Sequence, residues 1–236
     1  MDILLRRRSF LEDPAWIHEP WRDHGEKDLV DYAVDVLVHI PGMIESVDCI
    51  LAGGQAAESL QEKIANLINA LHDWRVHRLD PFVLQKYGRT IDLDTLVRSI
   101  TDRTLVDAFL ARAIVLHLTT WLFLTRLGQE GSLPWSARET VDNILDICEE
   151  YSYHQEGAGI LPWTFSIRAA LFTDSTLASA TRGRDLCARL ESRFSLSMLS
   201  DIIGSLPGLN TKMEFDNAHD TVAPPGAAHE VPQGST

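Results

Sequence analysis

The chain has 236 residues, 45% of them hydrophobic, and its 34 acidic and 21 basic side chains give a formal net charge of -13. This hydrophobic share is normal for globular proteins and is enough for a buried core. The negative charge argues against direct binding to nucleic acid or to an anionic membrane surface.

The two ends of the chain differ from its middle. The first 25 residues show no helical period, and they contain Trp16 and Trp21 among prolines. Because docked aromatic rings dominate burial, we expect residues 1–25 to be an irregular segment packed on the core. Residues 26–208 are expected to form the helical domain. Residues 209–236 are polar, small or proline, which predicts a disordered tail.

Apolar residues at helical spacing predict three helices in the first third of the chain. The first covers residues 27–39, and the second covers residues 41–52 and ends at Gly53. The third, over residues 58–78, has the clearest apolar stripe. We expect it to stop before Pro81, because proline lacks an amide donor and disfavours helical backbone in the preceding residue.

The most apolar helix is predicted in the middle of the chain. Residues 80–90 are left without an assignment, and Asp92 or Asp94 then caps a short helix that ends at Ile100. A long helix over residues 102–127 is apolar on almost every side. Such a helix is normally central and covered by neighbours, so we expect it to form the middle of the fold.

Four more helices are predicted after this one, over residues 135–151, 160–172, 184–194 and 196–206. A loop over 155–159 separates the first two, and Pro162 falls in a first helical turn, where proline is tolerated. The chain shows no alternation of strands with helices, no internal repeat and no long heptad register. The prediction is therefore a single irregular all-α domain of about eight or nine helices.

Candidate metal ligands are sparse. His72 and His77 are five residues apart, so on a helix they diverge. A second acidic and histidine group at the end of a predicted helix consists of Glu149, Glu150, His154 and Glu156. Neither group has the HExxH spacing or an equivalent, and Cys49, Cys148 and Cys187 form no CxxC pair. The sequence therefore predicts no metal site, no cysteine zinc site and no disulfide framework.

Catalytic signals are equally weak. There is no GxSxG motif, and no cysteine has a base nearby in sequence. His117 is the candidate base to test first, but a lone histidine in an apolar helix is usually a hydrogen-bonded core residue. An enclosed cavity lined by His117, Tyr151 or Trp163 would favour an enzyme or a small-molecule-binding protein. We name no catalytic, cofactor-binding or metal-binding residue and no cofactor.

No secretory or membrane-spanning segment is predicted. The three arginines at positions 6 to 8 are not followed by an apolar run of signal-peptide length. The longest apolar stretch, residues 113–124, contains His117 and two threonines and is too short to span a bilayer. We therefore expect an intracellular protein that is not secreted and has no membrane partner.

Several stretches together resemble the fungus-specific transcription-factor domain, the helical region C-terminal to the binuclear zinc cluster of fungal regulators. The resemblance lies in residues 6–16 with Pro20 and Trp21, in residues 72–75, in the long apolar helix, and in residues 157–162. The order of the late helices is also similar. The chain has no six-cysteine cluster, so the DNA-binding module of that family is missing from this sequence.

The resemblance implies a non-enzymatic regulatory or interaction domain that acts in transcription without contacting DNA. It further implies a nuclear location, with the cytoplasm as the alternative, a protein partner or homodimer, and room for a small-molecule effector. A second hypothesis is a small-molecule-binding protein or enzyme of secondary metabolism. A third is that the chain starts inside a longer helical domain, whose missing helices would leave an apolar association surface.

Overall fold

The computed structural model describes residue 13 and residues 27–53, 57–105, 107–127, 135–154, 161–173 and 177–194. These residues are 85% helical, and no strand occurs among them. The predicted all-α class is therefore confirmed. All of them belong to a compact unit that covers residues 1–197, and a second unit, residues 198–236, lies outside the described residues.

The described ranges contain nine α-helical segments, numbered here in chain order. They are α1 (Leu29–Leu37), α2 (Ile40–Leu51), α3 (Ala57–Trp74), α4 (Asp80–Tyr87), α5 (Leu93–Thr101), α6 (Ala108–Arg126), α7 (Ala137–Tyr151), α8 (Leu161–Thr173) and α9 (Leu177–Phe194). A single turn separates α1 from α2, and a π-helical turn, Arg75–Leu79, joins α3 to α4. Seven helices are counted in the described residues, slightly fewer than the eight or nine expected.

Side-chain caps start four of these helices, α1, α5, α6 and α7, where the sequence carries a short polar residue. Asp28 forms a capping box with Asp31 at α1, and Ser136 forms one with Glu139 at α7. Asp92, one of the two predicted caps, accepts a hydrogen bond from the Thr95 amide at the start of α5. Each cap pairs an amide that has no partner inside its helix.

The predicted stop before Pro81 is wrong. The helix continues through the π-helical turn, in which the Asp80 amide donates to the Arg75 carbonyl, and into α4. Pro81 then lies in the first turn of α4, where a missing amide is tolerated. The helix ends instead at Gly88, whose φ of 69° is the left-handed conformation that glycine adopts easily. Residues 80–90, for which the sequence predicts no element, therefore contain a helix.

Two other predicted helix starts are also wrong. The long apolar helix begins at Ala108 and not at residue 102, because Asp107 caps it and Arg103, with a φ of 57°, interrupts the helical backbone. Helix α9 begins at Leu177, seven residues before the predicted start, since its first turns carry small residues that show no apolar stripe. The predicted 155–159 loop, the 196–206 helix, the tail and the tryptophans of residues 1–25 lie outside the described residues.

Helix α6 is the centre of the fold, as predicted, and it packs against α1, α7 and α8. Its fully buried side chains include Leu110, Ile114, Leu118 and Leu122. The window Ala108–Thr125 is long and apolar enough to cross a membrane by length and composition, with a mean hydropathy of 1.6, and it is longer than the apolar stretch of residues 113–124. Since 78% of this window is buried inside the protein, its hydropathy is that of a core helix.

Candidate functional site

An open groove lies between α7 and α9 and has a volume of about 1020 Å³. Glu149 of α7 lines one side. The other side is a face of α9 on which residues recur every three or four positions, namely Ala178, Thr181, Arg182, Asp185, Ala188 and Arg189. The two alanines are exposed. Small and charged side chains therefore line the groove together.

The charges of the groove are held in one network. The Arg182 Nε and Nη2 atoms donate to Glu149 Oε2 at 3.0 and 2.6 Å, and Nη2 also lies 2.6 Å from Asp146 Oδ1. The Arg189 Nη2 atom donates to the other Glu149 oxygen at 3.2 Å. The hydrogen bonds from Arg182 outweigh burial and lower the pKa of Glu149. The carboxylate therefore stays ionised near neutral pH and is unsuited to act as a general acid.

Close packing with α8 supports the α9 side of the groove. A Cβ atom at Gly183 would lie 2.5 Å from Leu171 Cδ2, so the glycine allows the two helices to approach at this point. Arg189 is further positioned by Tyr153, whose ring centre lies 5.6 Å from the guanidinium carbon. The charged side chains of the groove therefore extend from packed helices, and this packing fixes the distances between them.

His117, the predicted candidate base, lies in the core at 3% exposure. Its ring stacks on Trp74 with centroids 4.7 Å apart, and its Nε2 atom accepts a hydrogen bond from Trp121 Nε1 at 3.1 Å. Trp74 in turn donates to the Leu29 carbonyl at 3.1 Å. The Nδ1 atom of His117 is buried and has no hydrogen-bond partner among the described residues. The histidine therefore links α6 to α3 and, through Trp74, to the start of α1.

Burial, and secondarily the charge of Arg75, lower the pKa of His117 to about 3. The imidazole is therefore neutral at physiological pH, and its Nε2 lone pair is already engaged by Trp121. A base so sealed has no route to a substrate proton, so the arrangement fits a structural role.

This pKa predicts a pH-dependent stability. Between the folded pKa and the ordinary value of about 6.5, the unfolded chain binds a proton that the folded chain refuses, so stability falls as pH falls. We expect the free energy of unfolding to drop by about 2 kcal/mol from this residue alone between pH 7 and pH 5. Urea unfolding of His117→Gln at both pH values should show a smaller drop, whereas the exposed-site control His72→Gln should match the wild type. Equal drops in all three proteins would contradict the assignment.

Tyr151 and Trp163 are buried elsewhere in the core and do not line the groove, nor does His117. The Tyr151 hydroxyl lies 3.2 Å from the Ile100 carbonyl and 3.0 Å from the Leu105 carbonyl, and so ties α7 to the turn between α5 and α6. The indole nitrogen of Trp163 is buried without a hydrogen-bond partner in the described ranges. The cavity that these three side chains were expected to line is therefore not the α7–α9 groove.

The predicted metal candidates also separate. His72 and His77 are both exposed. Glu149 belongs to the groove network, Glu150 pairs with Arg103, and Glu156 lies outside the described residues. No group of three or more histidine, cysteine, aspartate or glutamate side chains suited to a metal occurs among the described residues.

The three cysteines have three different environments. Cys49 is exposed, Cys187 is partly buried, and Cys148 is fully buried. Burial, followed by the nearby Cys187, raises the pKa of the Cys148 thiol. The two thiols approach each other from α7 and α9, which no spacing in the sequence indicated. Because a raised pKa disfavours the reactive thiolate, Cys148 behaves as a small apolar core residue.

Sequence reasoning missed most of the groove. It considered Glu149 only as a metal ligand and did not consider Asp146, Arg182 or Arg189. The available signal was the spacing of Arg182 and Arg189, seven residues apart on one helical face. Their acidic partner is 33 residues or more away in sequence, so periodicity alone could not identify it.

Comparison with known proteins adds no further evidence to this geometry. No family model, no curated protein and no solved structure matches the chain. The resemblance to the fungal transcription-factor domain therefore remains a hypothesis drawn from sequence order.

Proposed function

We propose that this chain is a non-enzymatic interaction domain that binds a protein partner along the α7–α9 groove. The observation that supports this is the groove itself, in which exposed Ala178 and Ala188 lie beside the Arg182–Glu149–Arg189 network. Small side chains let another backbone approach closely. The ordered charges of this network provide specificity, as polar groups do around the edge of protein interfaces.

The resemblance to the regulatory half of a fungal zinc-cluster regulator supports a partner that is itself a protein of transcriptional control. The partner is another regulatory protein or a second copy of this chain, and the site of action is the nucleus. The net charge of -13 accords with a role that depends on protein contacts rather than on DNA contacts.

A tethering experiment tests this proposal. The full chain is fused to an unrelated DNA-binding module, and transcription of a reporter with that module's site is measured against the module alone. We expect the fusion to change reporter output. Ala188→Trp, which fills the groove, should remove most of that change, because a bulky side chain blocks close approach.

Ala65→Trp is the matched control, since Ala65 is also an exposed helical alanine but lies on α3, away from the groove. It should leave the reporter response intact. Immunoblotting confirms equal amounts of each fusion. Light scattering of the purified chain shows whether the partner is a second copy. A fusion without effect on the reporter, or equal loss in both variants, would contradict the proposal.

A further inference from the structure

Arg112 is the only charged residue of the α6 segment between Ala108 and Thr125. The residue is partly exposed, but its Nε atom is buried and has no hydrogen-bond partner among the described residues. No carboxylate in the described ranges forms an ion pair with it. Leaving a buried donor unpaired costs about 1–3 kcal/mol, so an arginine held in this way calls for an explanation.

Asp107, the acidic residue nearest to Arg112 in the sequence, already accepts hydrogen bonds at both of its carboxylate oxygens. Asp107 Oδ2 accepts from Lys86 Nζ at 2.6 Å and from the Tyr87 hydroxyl at 2.7 Å. Its Oδ1 atom accepts from the amides of Phe109 and Leu110 at 3.2 and 3.1 Å. Lys86 and Arg112 are thus two cationic side chains near a single carboxylate, that of Asp107, in a chain whose net charge is -13.

The two cations bracket an aromatic pair. Phe82 of α4 and Phe109 of α6 have ring centroids 5.8 Å apart at an interplanar angle of 45°. The Lys86 Nζ atom lies 5.4 Å from the Phe82 centroid, and the Arg112 guanidinium carbon lies 5.8 Å from the Phe109 centroid. Both rings are only partly buried. Cationic and apolar binding elements therefore lie side by side at the surface.

We propose that this α4–α6 surface, formed by Phe82, Lys86, Phe109 and Arg112, binds an acidic peptide segment of a protein partner. A carboxylate of that segment pairs with the Arg112 guanidinium, and a neighbouring aromatic or aliphatic side chain packs on the two phenylalanine rings. Guanidinium–carboxylate pairs are strong because they are charge-assisted and geometrically matched. This proposal does not depend on the α7–α9 groove.

The test uses purified full-length protein and a labelled, end-capped peptide of alternating aspartate and phenylalanine, followed by fluorescence anisotropy at low salt. A second peptide replaces every aspartate with asparagine. We expect the wild type to bind the acidic peptide about tenfold or more tightly than the amide peptide, as a charge-assisted pair implies.

Arg112→Gln should remove that preference, and Arg112→Lys, which keeps the charge but not the guanidinium, should retain part of it. Arg98→Gln is the matched control, because exposed Arg98 pairs with Asp94 on α5. It should bind as the wild type does. Circular dichroism should show that Arg112→Gln is folded, with a thermal midpoint no lower than that of the wild type. Equal binding of both peptides, equal loss in both glutamine variants, or no binding by the wild type would overturn the proposal.

Discussion

Replacing Leu116 by alanine is expected to lower the free energy of unfolding by about 2–5 kcal/mol. Leu116 is 2% exposed on α6, the helix that packs against α1, α7 and α8. The substitution removes buried apolar atoms, and a helix enclosed by several neighbours cannot collapse to fill the cavity that remains. Urea unfolding followed by far-ultraviolet circular dichroism measures the loss.

Leu84→Ala is the matched control for this experiment. Leu84 lies on α4 and is 49% exposed, so the same chemical change there removes little buried area. We expect its free energy of unfolding to stay close to that of the wild type. A loss near zero at Leu116, or equal losses at both positions, would show that α6 is not the central helix.

Replacing Asp107 by alanine is expected to lower the free energy of unfolding by about 2–4 kcal/mol, because this one carboxylate accepts several hydrogen bonds. It caps α6 through the Phe109 and Leu110 amides, and it accepts hydrogen bonds from Lys86 and Tyr87 of α4. Alanine would leave these donors unpaired. Asp107→Asn should lose less than alanine, since an amide oxygen still caps the helix but carries no charge for Lys86.

The control is Asp92→Ala at the start of α5. Asp92 is also an aspartate cap, but its side chain accepts from the Thr95 amide at a solvent-exposed helix end and contacts neither a lysine nor a tyrosine among the described residues. We expect its loss to be clearly smaller than that of Asp107→Ala, as measured by the midpoint of urea unfolding. Equal losses would mean that the contacts to Lys86 and Tyr87 contribute no stability beyond the cap.

The contribution of Asp107 to the free energy of unfolding should also depend on pH. Burial by itself would raise the pKa of Asp107, but the hydrogen bonds from Lys86, Tyr87 and the Leu110 amide outweigh it and lower the pKa. A lowered folded pKa gives stabilisation that is present above the ordinary value of about 3.9 and is lost as pH falls through the folded pKa. The difference in stability between wild type and Asp107→Ala should therefore be constant near neutral pH and shrink below about pH 4.

The same carboxylate acts in the opposite direction on Tyr87. Burial, followed by the hydrogen bond to Asp107, raises the pKa of the Tyr87 hydroxyl. The neutral phenol is therefore the form that the fold favours, and ionisation of tyrosine would weaken this contact only at strongly alkaline pH. Together the two shifts keep the Asp107–Tyr87 pair in one charge state across the physiological range.

Helix starts were predicted best where a short polar side chain precedes an apolar stripe. Asp92 and Ser136 begin α5 and α7 as expected, because a cap and its amide lie within three residues of each other. The error at Pro81 has a physical cause. The π-helical turn of residues 75–79 changes the hydrogen-bond spacing just before the proline, and no simple residue pattern announces such a turn.

The candidate surfaces were much harder to predict than the helices. Arg182 and Glu149 are 33 residues apart, and Phe82 and Phe109 meet from α4 and α6. Such pairs depend on which helices become neighbours and on how each is rotated about its axis. His117 illustrates the same limit, because its apolar setting was visible in the sequence but its contacts with Trp74 and Trp121 were not.

The sequence by itself determined the all-α class, the central position of the apolar helix and several helix ends. These properties depend on residues three or four positions apart, where helical periodicity and capping operate. Only the tertiary structure decided that Arg182 joins Glu149 in a groove and that Arg112, which has no carboxylate partner among the described residues, lies beside Phe109. The physical reason is that the partner of Arg182 is 33 residues away, so this ion pair depends on which helices pack together and not on local spacing.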